Sequence, residues 1–128
     1  MSRVESSKIK DFTDLDAWKR SKQLGVAVYS QTKSFPATEV YSLTNQLRRA
    51  AVSVSSNVAE GFGRRSGADK IRFYNMAQTS VDEVRSQLYL ALELEYLDEQ
   101  ELNNLQSIAV EVRKLISGLI RFLEKRNV

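Results

Sequence analysis

One proline and a knot of three glycines supply most of the punctuation in these 128 residues. Pro36 stands alone, Gly61, Gly63 and Gly67 crowd a single short stretch, and only Gly25 and Gly118 interrupt the rest. Inside a helix a glycine costs about 1 kcal/mol relative to alanine and a proline about 3 kcal/mol. A chain this poor in breakers can therefore sustain long helices, and four segments carry the matching apolar period. In 15–33, Leu15, Trp18, Ser21, Gly25, Val28 and Thr32 recur at spacings of three and four, with Leu24 widening the stripe. In 39–62, Val40, Leu43, Leu47, Ala50, Ala51, Val54 and Val58 form a second stripe. In 67–96 the stripe is Phe73, Ala77, Ser80, Val84, Leu88, Ala91 and Leu94. After Asp98 it is Leu102, Leu105, Ala109, Val112, Ile116, Leu119 and Leu123.

The boundaries have chemistry of their own. Thr13 or Asp14 can cap the first helix and Thr38 the second, with Asp16 and Glu39 supplying first-turn negative charge. Gly61 and Gly63 read as stop signals. Ser66 with Asp69, and Asp98 with Glu101, have capping-box spacing. Lys125 and Arg126 suit the negative end of the last helix. No strand pattern competes, and short connections force neighbouring helices to run antiparallel. The reading is all-α, an up-down-up-down antiparallel four-helix bundle over 12–126, preceded by a flexible tail over 1–11.

Composition narrows the chemistry. The chain has no Cys and no His. Disulfides, thiol nucleophiles, Cys-based zinc sites and every mechanism that relies on imidazole are excluded. No cofactor, metal site or catalytic residue is expected, and the chain is read as a non-enzyme of the cytoplasm without a signal core or membrane span.

The net charge of +3 is unevenly placed: residues 1–72 hold thirteen Lys and Arg against seven Asp and Glu, and residues 73–128 hold six against nine. Arg48 and Arg49 lie mid-helix beside the apolar stripe. Arg64, Arg65, Lys70 and Arg72 cluster about the Gly-rich turn, and Lys19, Arg20 and Lys22 crowd the first helix. Guanidinium forks suit phosphate oxygens, so Arg48, Arg49, Arg64 and Arg65 are the candidate nucleic-acid contacts. For any one of them the plainer reading is a solvated residue paired to Glu60, Asp69 or Glu83. Ser53, Ser56, Asn57 and Glu60 share one side of the second helix and form a candidate polar surface, either a subunit contact or structural hydrogen bonds within the fold. The Gly61–Gly67 turn follows no strand and lacks a Gly-Lys-Ser/Thr ending, so it is not a nucleotide-binding loop. Trp18, Tyr29, Tyr41, Phe73 and Tyr74 are spread over several helices, where core packing is the default.

Several words of the sequence carry a resemblance. They begin with Phe12-Thr13-Asp14-Leu15, Ala17-Trp18-Lys19 and Phe35-Pro36, and continue with the run from Glu39 to Ala51. The most specific is Val52-Ser53-Val54-Ser55-Ser56-Asn57-Val58-Ala59-Glu60-Gly61-Phe62-Gly63-Arg64, followed by Phe73-Tyr74, Ala77, Ser80, Glu83, Gln87-Leu88 and Tyr96-Leu97. From residue 12 to about 123 the chain resembles the bacterial four-helix-bundle family encoded in intervening sequences of 23S ribosomal RNA genes, whose members are often labelled ribosomal-protein-like. Ser42 stands where many relatives have Gly, and Val58 where they often have Ile. The resemblance implies a homopentameric ring around a central channel. A more distant similarity is to the accessory protein of diversity-generating retroelements, a basic pentamer that binds its reverse transcriptase and nucleic acid. The expected function is thus an oligomeric scaffold that binds RNA or DNA through a basic surface. The alternatives are a protein adaptor docking a larger enzyme such as a reverse transcriptase, and a purely structural assembly.

Overall fold

The computed structural model describes residues 8–126. It contains α1 (Asp16–Thr32), α2 (Leu43–Phe62), α3 (Gly67–Glu93) and α4 (Glu99–Arg126), with 3-10 turns at Phe12–Asp14 and Ala37–Glu39 and no strand among the described residues. Hydrogen bonds between helices fix their sense. Ser53 of α2 meets Ser80 of α3, whereas Arg48 reaches back to Thr32 near the end of α1. Gln78 of α3 bonds Ser117 of α4, while Arg85, further along α3, bonds Gln106, earlier on α4. Each consecutive pair is antiparallel, and α4 closes the bundle against α1.

The core lies on the expected stripes. Leu24, Leu47, Val54, Val58, Val84, Leu88, Val112 and Ile116 are at most 1% exposed, so the facing stripes meet along the bundle axis. Two residues assigned to stripes are exposed instead, Val40 and Leu94. Val40 falls in the link before α2, and Leu94 caps α3 after its last turn, so neither inherits a helical direction toward the core. Tyr74, Gln78 and Val81 are buried beyond the α3 stripe because that helix packs against both α2 and α4.

The helix starts differ from the caps read in the sequence. Thr13 and Asp14 sit in the first 3-10 turn, which Asp11 caps, and α1 begins after Leu15 without a side-chain cap. The second helix begins at Leu43 rather than Glu39, and Thr38 belongs to the other 3-10 turn. The Glu39 carboxylate does the capping from four residues away: it accepts from the Leu43 N–H at 3.3 Å and the Ser42 hydroxyl at 2.6 Å. The capping box expected after Asp98 forms, with Asp98 and Glu101 exchanging backbone-to-carboxylate bonds at 2.9 and 2.8 Å. At the start of α3 only half of one forms, with Asp69 N–H donating to Ser66 Oγ while the Asp69 carboxylate turns to Arg72.

The third helix ends at Glu93 in a Schellman motif, with Glu95 N–H donating to Leu92 C=O and Tyr96 N–H to Ala91 C=O. Glu95 takes the left-handed position at φ 63°, which usually falls to glycine. Ahead of α1, Ile9 packs on the core and Phe12 meets Trp18 edge to face with ring centroids 5.2 Å apart. Residues 1–7 of the expected tail lie outside the described residues.

Candidate nucleic-acid interface

Gly61 decides how closely α2 and α3 approach at their shared turn. It is buried in the last turn of α2 rather than acting as a stop, and a Cβ there would lie 2.7 Å from the Tyr74 ring. Gly63 ends the helix, its N–H shared between Ala59 and Glu60 carbonyls. Lys70 then crosses back and donates to Phe62 C=O at 2.5 Å, and partial burial pulls its ammonium below the ordinary lysine value.

Around this tight turn the arginines are held in place. Arg64 bonds Glu60 at 2.9 Å and Arg72 bonds Asp69 at 3.0 Å, with Arg64 Nε 3.7 Å from the same aspartate. Both guanidinium groups lie over the Phe73 ring, 4.4 and 4.5 Å from its centroid. Each such stack contributes about 0.5–1 kcal/mol at an exposed site, and both draw on the one Phe73 ring. Arg65 is exposed and makes no ion pair among the described residues. Arg64, Arg65, Ser66 and Arg72 border an open depression of about 690 Å³ at the N-terminal end of α3. Free N–H groups at that end and the surrounding guanidiniums favour an anion, although Asp69 already supplies one.

The other arginine pair is elsewhere. Arg48 is half-buried, donates to Thr32 Oγ1 at 2.8 Å and lies 4.7 Å over the Tyr29 ring, so it ties α1 to α2. Arg49 is exposed and has no ion pair among the described residues. Sixteen residues separate Arg48 from Arg64, about 24 Å along a helix axis. The structure keeps the two pairs apart as two places on one molecule.

The polar side of α2 divides as well. Asn57 Nδ2 donates to the carbonyl and hydroxyl of Ser53, and Ser80 of α3 donates to the same hydroxyl at 2.8 Å. Ser53 thereby joins α2 to α3, and Asn57 braces Ser53 from within α2. Ser56 and Glu60 face outward and line a shallow depression with Phe12 and Arg64. Trp18 packs on Phe12 under Lys22, and Tyr74 is buried with its hydroxyl pushed up to about 12 by desolvation.

Along the bundle the charges separate. The turn segment 63–72 holds four cations and one carboxylate, whereas 93–101, at the opposite end, holds five carboxylates and no cation. At that acidic end Glu39 accepts from Tyr96 Oη at 2.7 Å, and the Ser42, Tyr96 and Leu43 donors hold its carboxyl below the usual value. Sequence reasoning missed another basic group, Arg85, Arg113, Lys114 and Arg121, because it sits in the half of the chain whose sum is negative. The helical spacing of Arg113, Ser117 and Arg121 was the signal available. Among the described residues no group of three or more acidic side chains is placed to hold a metal ion, and no helix is long and apolar enough to cross a membrane.

Comparison with known proteins places this geometry. Residues 13–118 match the model of the family described as 23S rRNA-intervening sequence protein. Among solved structures, a protein of unknown function from the S23 ribosomal protein family of Bacteroides thetaiotaomicron shares the fold, with a TM-score of 0.74 at 24% identity. The match covers 81% of this chain and 97% of that one. No curated protein matches the chain.

Proposed function

The chain belongs to the 23S rRNA-intervening sequence protein family, and from that premise and its charge geometry we propose a non-enzymatic, homo-oligomeric scaffold that holds structured RNA by its phosphates. The carrying observation is the basic end of the bundle, where Arg64 and Arg72 are stacked on Phe73 and Arg65, without an ion pair among the described residues, stands beside the start of α3. Contacts of this kind position a phosphate backbone without reading bases. Arg49 provides a separate cation on the flank of α2. The scaffold works in the cytoplasm as a homopentamer, an arrangement that repeats each basic end five times and so strengthens the field that attracts a polyanion. The non-enzymatic reading rests on a composition without His or Cys.

Binding of a labelled RNA hairpin across a salt series tests the reading. Replacing Arg48, Arg49, Arg64 and Arg65 together by Ala weakens binding for all hairpin sequences alike. Each lost phosphate contact flattens the slope of log affinity against log salt by about 0.7–0.9. Because Arg48 and Arg64 have intramolecular partners, the Arg49→Ala/Arg65→Ala pair accounts for most of the change. Unchanged affinity and slope in the quadruple variant would remove these residues from the interface. Light scattering is expected to give five times the 14.6 kDa chain mass, and a monomer at every concentration refutes the assembly.

A protein-adaptor role has its own observation. Tyr41 is 93% exposed, with Val40 and Leu94 about half exposed, on segments joined by the Tyr96–Glu39 hydrogen bond. Stoichiometric capture of a larger enzyme at this acidic end, with no RNA bound even at low salt, would favour that role.

A further inference from the structure

Two glutamines buried between α3 and α4 have no counterpart elsewhere among the described residues. Gln78 is 8% exposed and Gln106 is 7% exposed. A buried amide is costly unless its hydrogen bonds are made. Every bond these two amides make falls on one groove, while Gln78 Oε1 is buried with no partner among the described residues. Gln106 Oε1 accepts from Arg85 Nε at 2.8 Å while its Nε2 donates to the Arg85 carbonyl at 3.0 Å. The exchange clamps the arginine at both its backbone and its Nε, and no bond to either terminal nitrogen of the fork is present among the described residues. Gln78 Nε2 donates to the Arg113 carbonyl at 3.0 Å and to Ser117 Oγ at 2.8 Å, which anchors the groove's other wall.

Arg85, Val110, Arg113, Lys114, Ser117 and Arg121 border a depression of about 300 Å³ above these amides. Four of the six are cations. Only Arg113 has a carboxylate partner, Asp82 at 3.2 Å, among the described residues. We propose that this groove is a second phosphate-binding surface, which takes the sugar–phosphate backbone of the nucleic acid bound at the α2–α3 turn. The proposal rests on the RNA-binding reading above and adds a site to it.

The register carries the groove toward the basic end. Gln78 lies against Ser117, so one helical turn further along α4 Arg121 stands level with about Tyr74. From Val110 to Arg121 the helix advances about 16 Å, enough to follow several successive phosphates of one strand. Val110 is the single apolar residue type in the lining, and the four cations around it suit an anion. Arg85 is held with its fork open to the groove, so less conformational freedom is lost on forming paired bonds to a phosphate.

The experiment titrates the full chain with a labelled RNA hairpin over a salt series, comparing wild type, Lys114→Gln/Arg121→Gln and Lys10→Gln/Lys33→Gln. The groove variant is expected to lower the salt slope by about 1.4–1.8 units, two contacts' worth, and to melt like wild type. The control removes the same charge from exposed positions outside both surfaces and changes the slope by less than half as much. A groove variant with wild-type slope overturns the second surface and leaves the α2–α3 turn standing. Equal flattening by the control overturns it too, since net charge alone would then explain the effect. Wild type that binds no hairpin at the lowest salt overturns both this surface and the RNA-binding reading. Loss of binding to a poly-glutamate peptide with an unchanged RNA slope assigns the groove to an acidic protein segment and overturns the proposal.

Discussion

At one end of the bundle α2 turns into α3 within four residues; at the other a ten-residue link from α1 to α2 meets the five-residue turn from α3 to α4. The short turn is closed by backbone proximity. Gly61 lets Tyr74 approach, and Lys70 bonds the Phe62 carbonyl. The long link is closed by side chains, with Ser42, Tyr96 and the Leu43 N–H all converging on the Glu39 carboxylate. The first closure is sensitive to volume, because a packed backbone has nowhere to go. The second is sensitive to protonation, because one carboxylate accepts all three bonds. The same division separates the charges, and it leaves the closely packed end as the one that presents cations.

The largest test of that contrast is Gly61→Val. Even its first carbon would lie 2.7 and 2.9 Å from the Tyr74 ring and 3.2 Å from the Lys70 carbonyl. Overpacking of this kind costs about 1–3 kcal/mol, and the branched side chain belongs at the upper end. Gly25→Ala meets nothing within 4 Å and is expected to stabilise instead, by about 0.5–1 kcal/mol. Urea denaturation checks both, and equal midpoints would show that the α2–α3 crossing is not volume-limited.

Next comes alkaline pH. Tyr74 is raised from 10.0 to about 12 by burial. A group whose folded value is raised contributes stability fully present below its unfolded value and lost as pH rises through the folded one. Stability of the basic end is therefore expected to decline between 10.0 and about 12, and Tyr74→Phe to blunt the decline. Thermal melts of the two proteins across that range decide it.

A smaller effect lies in the Schellman turn at the acidic end. Glu95 sits at φ 63°, where a Cβ is penalised, so Glu95→Gly is expected to raise stability by roughly 1 kcal/mol. A lower melting temperature would mean that the Glu95 side chain contributes more than its backbone costs.

Smallest is the acid response of the long link. Glu39 is held below its ordinary value of 4.5 by its Ser42, Tyr96 and Leu43 donors. A lowered folded value means stability present above 4.5 and lost as pH falls through the folded value. Glu39→Gln is expected to remove part of the wild-type loss on the acid side of the melting profile, while Gly61 variants keep it whole. An acid limb shared by wild type and Glu39→Gln would deny the carboxylate its closing role.

Much of the site was legible as residue types and little of it as arrangement. Arg48 and Arg49 are adjacent in the chain, but 100° of helical rotation sends one onto Tyr29 and leaves the other in solvent. Arg64 and Arg65, in the turn rather than in a helix, part company because Phe73 and Asp69 lie beside only one of them. Arg85, Arg113, Lys114 and Arg121 were hidden by summing charge along the chain, since five of the nine carboxylates in that half lie in 93–101 at the acidic end of the bundle.

By itself the sequence determined four helices, their antiparallel order and most of the core, from the spacing of residues such as Leu47, Val54, Val84 and Val112. That information is local: helical period and the scarcity of breakers act within one segment. Only the tertiary structure decided that Gly61 is a contact rather than a stop, that Glu39 caps α2 from outside it, and that Gln78 and Gln106 hold a basic groove. Gly61 meets Tyr74, Gln78 and Gln106 meet α4 and α3, and even Glu39, whose capping bonds are local, is held by Tyr96 from 57 positions away. No local pattern encodes which side chain will fill the space opposite.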